Sequence, residues 1–363
     1  MMREKVRLND IAIHSKGKQI KGTDLIEDGK YDYLNGGINP SGKWNEYNNK
    51  GNTVTISEGG NSSGYVNYME DPFWCGAHCY YLYDVKENSK YLYYSLKSKQ
   101  EQIMNLRTGA TMPNIKKSVL GEFVITYDKS PEEQEIVVQI LEKTEKIIKN
   151  RKTQIKELDD LIKSRFAEMF GDDGYDIISL GELCSKISDG THKTPKYQGD
   201  GITFISAKNI KNGRIDFTDV KYILEAEYIQ IQNRCQLEKG DILLSKSGSL
   251  GAPVIVNTSE RLGLFESLAV IKADWSKFSN IFLCEQLKTD EIQRQFKTGT
   301  KGVAIKHLHL NVIRSIMITN PPIVLQNQFA DFVVRVDKLK SEVQKSLEET
   351  QELFDSLMQK YFD

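Results

Sequence analysis

Arg107-Thr108-Gly109-Ala110-Thr111, followed by Ile115-Lys116 and Leu120-Gly121-Glu122-Phe123-Val124-Ile125, is written a second time as Lys297-Thr298-Gly299-Thr300-Lys301, Ile305-Lys306 and Ile313-Arg314-Ser315-Ile316-Met317-Ile318. The flanks repeat as well. Pro131 leads into Gln134-Glu135-Ile136-Val137-Val138 and Pro322 into Gln326-Asn327-Gln328-Phe329-Ala330, and each opens a long charged segment with periodic apolar residues. Upstream, Lys50 to Ser57 matches Lys239 to Ser245, and both run into glycine-serine loops, Gly59 to Gly64 and Ser247 to Gly251. Arg7-Leu8-Asn9-Asp10-Ile11-Ala12 has a counterpart in Ser179-Leu180-Gly181-Glu182-Leu183-Cys184. Between these anchors the halves diverge, and the stretches around Trp44 and Trp74 have no partner around Asn209 to Asp219. Solenoid repeats span roughly 20–50 residues. A period of half a chain is instead a tandem duplication of whole domains, and a shared framework with different interiors is what two specificities on one scaffold require.

The segments after the two prolines read as long helices. From Pro131 to Phe170 there is no internal glycine or proline, the proline stands near the first turn where its missing N–H costs little, and Glu132, Glu133 and Glu135 crowd the positive end. Leu141, Ile148, Ile155, Ile162 and Met169 recur every seven residues, with Ile140, Ile147, Leu158 and Leu161 beside them, and Gly171 ends the run. From Pro322 to the C-terminus Phe329, Val336, Val343 and Leu357 alternate with Phe332, Leu339 and Leu353. A helix of ~40 residues extends roughly 60 Å, and its stripe must be covered. The other copy is the natural partner, which predicts an antiparallel coiled coil. The fold class expected is therefore α+β, two mixed α/β domains separated by that coiled coil.

Composition narrows the function. The 363 residues suit two domains plus connecting helices. No stretch approaches the ~20 apolar residues of a membrane span, and Met1-Met2-Arg3-Glu4-Lys5 has no apolar signal core, so a cytoplasmic chain with no membrane partner is expected. Cys75, Cys79, Cys184, Cys235 and Cys284 are odd in number and scattered, which argues against a disulfide framework. Cys75-Gly76-Ala77-His78-Cys79 lacks the second ligand pair of a structural zinc site, so no metal is expected and the pair reads as half-buried strand residues. A formal charge of −1 is low for a solitary nucleic-acid binder. The charge is uneven, however. Basic residues gather at the same place in both copies, and these, with the Thr-Gly pairs, are the candidate DNA contacts: Lys97, Lys99, Arg107, Thr108, Lys116 and Lys117 in the first half, and Lys246, Arg294, Lys297, Thr298, Lys301, Lys306 and His307 in the second.

No motif supports catalysis. Asn320-Pro321-Pro322-Ile323 is similar to the Asn-Pro-Pro-aromatic signature of amino-methyltransferases, but the fourth position is not aromatic and no cofactor-binding glycine loop follows a strand upstream. It reads as a strand-to-helix turn. The glycine-serine loops lack the Lys-Ser/Thr ending of a phosphate-binding loop, and the five histidines are scattered, with no metalloprotease pair and no nucleophile elbow in the sequence.

The order of these elements resembles the specificity subunit of type I restriction–modification enzymes. The residues that carry the resemblance are Gly240 to Gly251 (Gly-Asp-Ile-Leu-Leu-Ser-Lys-Ser-Gly-Ser-Leu-Gly) and its degenerate partner, then Thr-Gly, then Pro…Gln before a long helix ending Lys163-Ser164-Arg165-Phe166-Ala167-Glu168-Met169-Phe170-Gly171. It covers essentially the whole chain and rests on order and duplication; the first copy keeps the pattern only loosely from Gly51 to Gly64. The resemblance implies target-recognition domains at 1–130 and 172–320, with coiled-coil helices at 131–171 and 321–363. It also implies a non-catalytic chain that recognises double-stranded DNA and assembles with two methyltransferase (modification) subunits and two restriction/translocase subunits. S-adenosylmethionine, ATP and Mg would belong to those partners, and the stripe Leu141, Ile148, Ile155, Ile162, Phe329, Val336, Val343 and Leu357 would form the coiled coil. Two other readings remain open at this point: the recognition subunit of a related enzyme that cuts on both sides of its site, and a coiled-coil adaptor that binds no DNA.

Overall fold

Two helices of 40 residues dominate the computed structural model, which describes residues 3–109, 111–171, 174–299 and 307–363. One runs Pro131–Phe170. Ser130 caps it, its Oγ accepting the Glu133 N–H at 3.3 Å. The other runs Ile323–Phe362, so Pro322 stands at its cap and not inside its first turn; the Pro322 carbonyl accepts from Leu325 (2.9 Å) and Gln326 (3.2 Å). The chain divides into two compact units, Met1–Thr153 with Gln344–Asp363, and Gln154–Val343. This division differs from the four expected segments, because each unit takes in half of each long helix.

In the first unit β1 (Arg3–Arg7) pairs antiparallel with β9 (Val124–Asp128), and α1 (Leu8–Ile11) follows β1. A four-stranded antiparallel sheet has the order β2 (Ile13–Lys16), β8 (Cys79–Tyr83), β5 (Thr53–Ser57), β6 (Val66–Met69). A smaller sheet has the order β4 (Gly42–Trp44), β3 (Tyr31–Leu34), β7 (Phe73–Cys75), with β3 and β7 parallel. Helices α2 (Ser89–Ser98), α3 (Gln100–Met104) and α4 (Lys117–Gly121) precede the first long helix, α5 (Pro131–Phe170). Val54, Ile56, Val66, Tyr80 and Leu82 of the larger sheet are buried with Tyr91 and Leu92 of α2 and with Val137 and Leu141 of α5. Cys75 and Cys79 are fully buried free thiols on β7 and β8, more deeply placed than the half-buried positions expected of them.

The second unit repeats this plan. β10 (Ile177–Ser179) pairs with β20 (Met317–Thr319), and α6 (Leu180–Leu183) follows β10. The larger sheet has the order β11 (Lys186–Asp189), β19 (Leu268–Lys272), β16 (Ile242–Ser245), β17 (Pro253–Ile255). The smaller has the order β15 (Lys221–Ile223), β12 (Ile202–Ile205), β18 (Leu262–Leu264), again with its last pair parallel. Helices α8 (Asn280–Leu287), α9 (Asp290–Gly299) and α10 (Leu310–Arg314) lead to α11 (Ile323–Phe362). A short hairpin of β13 (Ile210–Lys211) and β14 (Arg214–Ile215), and helix α7 (Glu225–Cys235), have no counterpart among the described residues of the first unit. Asn320, Pro321 and Pro322 connect β20 to α11, which opens on Ile323, so the stretch is a strand-to-helix connection.

Hydrogen bonds fix the correspondence and correct it at one point. Leu8 N–H donates to Phe123 O and Leu180 N–H to Ile316 O, both at 2.9 Å. Ile115 N–H donates to Glu58 O and Leu308 N–H to Lys246 O, again both at 2.9 Å. The counterpart of Ile115 is thus Leu308, and not Ile305. Six residues separate Thr108 from Ile115 and nine separate Thr298 from Leu308, so the second segment is three residues longer and the short sequence match slipped.

The repeated glutamine has a structural reason. Gln134 Oε1 accepts the Asn88 N–H (3.0 Å) and Nε2 donates to Asp128 O (2.6 Å), while Gln326 Oε1 accepts the Ser279 N–H (2.9 Å) and Nε2 donates to Pro321 O (2.8 Å). Asn88 and Ser279 cap α2 and α8. Each buried amide therefore locks the start of a long helix to the start of a domain helix and to the strand exit before it.

Within each unit the long helices are antiparallel. In the first, Val137 and Leu141 near the start of α5 share a core with Leu357, Met358 and Tyr361 near the end of α11. In the second, Ile162, Phe166 and Phe170 near the end of α5 share one with Phe329, Val333 and Val336 near the start of α11, with Phe166 and Phe170 rings 5.5 and 5.7 Å from Phe329. Leu141, Ile148, Ile162, Phe329 and Val336 are buried, and Ile155, Val343 and Leu357 half-buried. The expected companion residues Ile147, Leu161, Leu339 and Leu353 are exposed. A residue next to a core position sits ~100° around the helix, so the second core line keeps the expected Leu158 and otherwise falls on Val137, Thr144 and Arg151 of α5 and Val333, Lys340, Leu347, Phe354 and Tyr361 of α11. Lys340 at such a position pairs with Asp159.

Candidate nucleic-acid interface

In the first unit the two loop motifs of the repeat meet. Thr108 and Asn114 exchange backbone hydrogen bonds (2.9 and 3.0 Å), Gly60 N–H donates to Pro113 O (2.9 Å), and Arg107 Nη1 reaches Asn61 O (3.3 Å). The Thr-Gly loop is thus stitched to the glycine-serine loop, with Gly109 at φ +99° where a side chain would be strained. Beyond it Lys116 and Lys117 are exposed at the start of α4 and suited to phosphate. The other basic candidates have structural work. Lys97 Nζ donates to Val66 O and Gln100 Oε1, both at 3.1 Å, and lies 3.9 Å from the centroid of the Tyr65 ring. Lys99 is shielded and paired with Asp363.

In the second unit Arg294, Lys297 and Thr298 are exposed on α9, with Arg294 Nε donating to Asp290 O at 3.2 Å. Lys301 and Lys306 lie outside the described residues. Gly251, at φ +76°, packs so closely on Phe296 of α9 that a Cβ would fall 2.6 Å from its ring, which explains a glycine at the end of the Gly-Ser-Leu-Gly motif.

Lys246 corrects the sequence reading. Expected among the DNA contacts, it is buried, and its Nζ donates to buried Asp189 Oδ2 at 2.6 Å. A lysine so enclosed neutralises an interior carboxylate and does not reach a phosphate. Two residues the sequence reading passed over complete the cluster. Arg234 Nη2 donates to Asp189 Oδ1 at 2.6 Å, and the His192 ring places Nε2 3.2 Å from Asp189 Oδ2 and Nδ1 2.8 Å from Glu266 Oε2. Burial alone would raise the Asp189 pKa, but hydrogen bonds from Lys246 and Arg234 outweigh it and hold the carboxyl below its ordinary value. His307 is half-buried beside this cluster; burial and the nearby Lys246 charge lower its pKa against the opposing pull of Glu266.

Two α+β units of one plan, each closed by halves of the same antiparallel helix pair, define a duplicated recognition scaffold. A model of the type I restriction modification DNA specificity domain matches residues 3–159 and 172–352, and the chain belongs to that family, whose members are recognition and not catalytic subunits. A Mycoplasma pneumoniae chain named as a type I specificity subunit is 39% identical over 129 residues, 35% of this chain and 34% of that one, so the match spans about a third of the relative's length. The MjaIX specificity subunit of Methanocaldococcus jannaschii is 24% identical over 298 residues, 75% of this chain and 68% of that one. The crystal structure of the type I restriction–modification S subunit from M. genitalium superposes with a TM-score of 0.67 at 22% identity, over 99% of this chain and 96% of that one. That likeness speaks for the fold. Among the described residues no helix is long and apolar enough to cross a membrane.

Proposed function

We propose that each unit reads one half of a bipartite target in double-stranded DNA, and that the long helices set the unread spacer between the halves. The observation that carries this reading is one framework built twice with unlike interior segments, the hairpin and α7 occurring, among the described residues, only in the second unit. Base edges in the major groove would be read by each unit, with Lys116, Lys117, Arg294 and Lys297, and Lys301 and Lys306 beyond the described residues, holding phosphates. The chain's balanced charge fits a shared grip, in which partner subunits contribute much of the phosphate attraction. Exposed Ile147, Leu161, Leu339 and Leu353 on the long helices offer apolar surface to those partners, which we assign as two modification subunits and two restriction/translocase subunits acting in the cytoplasm. Adenine methylation from S-adenosylmethionine, with the base turned out of the duplex, and ATP- and Mg-dependent restriction would occur on the partners.

The test is to map methylated adenines in the DNA of a host that expresses this chain with its partner subunits. A split sequence with a constant gap is expected. A contiguous target, or methylation without sequence preference, contradicts the reading.

A further inference from the structure

At the end of the first strand of each four-stranded sheet the two units carry the same small assembly, made from different residues. In the first unit β2 ends on Lys16 and β5 is followed by Glu58; Lys16 Nζ lies 2.8 Å from Glu58 Oε1, and His78 Nδ1 lies 3.4 Å from Glu58 Oε2. In the second the same two positions carry opposite charges, Asp189 and Lys246, 2.6 Å apart. Register establishes the equivalence. Lys16 faces Tyr80 and Asp189 faces Ala269, each the second residue of the neighbouring strand, and Glu58 N–H donates to His78 O as Lys246 N–H does to Ser267 O, both at 2.8 Å.

A plain exchange of charge would leave the second unit without an outward cation here, because Lys246 is buried. Helix α7, which has no counterpart among the described residues of the first unit, supplies one. Arg234, the next to last residue of α7, grips Asp189 through Nη2 at 2.6 Å and Nε at 3.2 Å, and its side chain stays 50% exposed; Lys16 is 44% exposed. His192 stands on Asp189 as His78 stands on Glu58, with its other ring nitrogen on Glu266, and both histidines are partly exposed. Each unit thus ends with one shielded carboxylate that holds one outward cation beside one outward histidine. Unrelated residues rebuilding one arrangement at one place point to a task for that place.

We propose that these are the base-reading heads of the two units, with Arg234 the reading side chain in the second and Lys16 in the first, and that Arg234 reads a guanine. The inference rests on the DNA-reading function proposed above. Asp189 takes the Nε and Nη2 side of the guanidinium and leaves Nη1 without a hydrogen bond among the described residues. The Nη1/Nη2 end of the fork carries the paired N–H groups that match guanine O6 and N7 in the major groove. Clamping by a buried carboxylate removes much of the rotamer freedom a loose arginine would lose on binding, which favours a preorganised contact. Lys16 offers a compact ammonium in place of a fork, so its head discriminates less sharply.

The experiment is methylation mapping with the complete complex carrying Arg234→Ala, Arg234→Lys or Lys16→Ala, after exchange of residues 172–320 has assigned one half-site to the second unit. Arg234→Ala and Arg234→Lys are expected to relax one guanine position in that half by roughly 5- to 100-fold and to leave the other half unchanged. Lys16→Ala should alter only the other half. The lysine variant keeps the charge, so relaxation there separates base reading from phosphate contact, and the thermal midpoint of each purified chain reports any structural loss. A split target that keeps its sequence in both Arg234 variants, whether methylation stays constant or falls evenly at all sites, overturns this inference alone. A wild-type complex with no split target overturns the function beneath it.

Discussion

Replacing Gln326 by Leu should destabilise the second unit by about 2–6 kcal/mol. The side chain is 1% exposed and makes two hydrogen bonds, from Ser279 N–H at 2.9 Å and to Pro321 O at 2.8 Å. Leucine nearly keeps the volume, so packing changes little. What it leaves is a buried helix-cap N–H and a buried carbonyl without partners, each costing about 1–3 kcal/mol. Gln326→Glu sharpens the test. It keeps the acceptor for Ser279 but sets a carboxylate oxygen against Pro321 O, so at neutral pH it should be at least as damaging, and less so in acid as the carboxyl gains a proton and becomes a donor. Urea unfolding can be followed on Trp275, the one tryptophan of this unit. With a denaturant slope of about 2 kcal/mol per molar, the middle of the usual range, the midpoint should fall by roughly 1–3 M. A shift in the leucine variant below about 0.5 kcal/mol, the scale of an ordinary surface substitution, would refute the view that this amide locks the long helix to the domain.

Three further outcomes are expected. Inserting seven residues into α5 between Lys149 and Lys156, with a matched insertion in α11, adds ~10 Å of helix in heptad register, so methylation mapping should find the spacer longer by about three base pairs, while insertions of two or three residues should impair assembly. Lys116→Gln with Lys117→Gln should weaken binding of the complex evenly across sequences and reduce the slope of log affinity against log salt by about two, at ~0.9 for each phosphate no longer neutralised; an unchanged slope excludes a phosphate role for the two lysines. Asp189 has a folded pKa below its unfolded value of ~3.9, so its contribution is fully present above that pH and is lost as pH falls through the folded value. Acid titration of the Trp275 transition should therefore show a loss below about pH 4, and Asp189→Asn, already destabilised at neutral pH because Lys246 is deprived of its counter-charge, should show a shallower one.

The parts of this fold that were legible are those in which one residue predicts the next by local geometry. Heptad spacing and the prolines marked α5 and α11 because helix period and helix entry are local properties. The duplication was legible through Thr-Gly and Pro…Gln, though not the reason for the glutamine, whose partner Ser279 lies 47 residues upstream. Lys246 was misread because its partner Asp189 is 57 positions away, and nothing local distinguishes a lysine that closes an interior ion pair from one that faces a phosphate. Arg234 and His192 were passed over for the same reason; only the folded sheet, with α7 lying across its end, brings them to one carboxylate. A faint signal did exist, since Asp189-Gly190-Thr191-His192 packs a carboxylate and an imidazole into four residues. The Ile305-Lys306 match failed because three additional residues between Thr298 and Leu308 shifted the register, and short motif identity carries no information about an insertion.

The central claim is that recognition is modular, one unit to each half-site, and exchange of one unit tests it most directly. Residues 1–130 would be replaced by the corresponding segment of a family member with a different target, the rest of the chain kept, and the methylated adenines mapped with the partner subunits present. The account predicts that one half of the target changes to that of the donor while the other half and the spacer stay as they were. A change in both halves, or in neither, would contradict it.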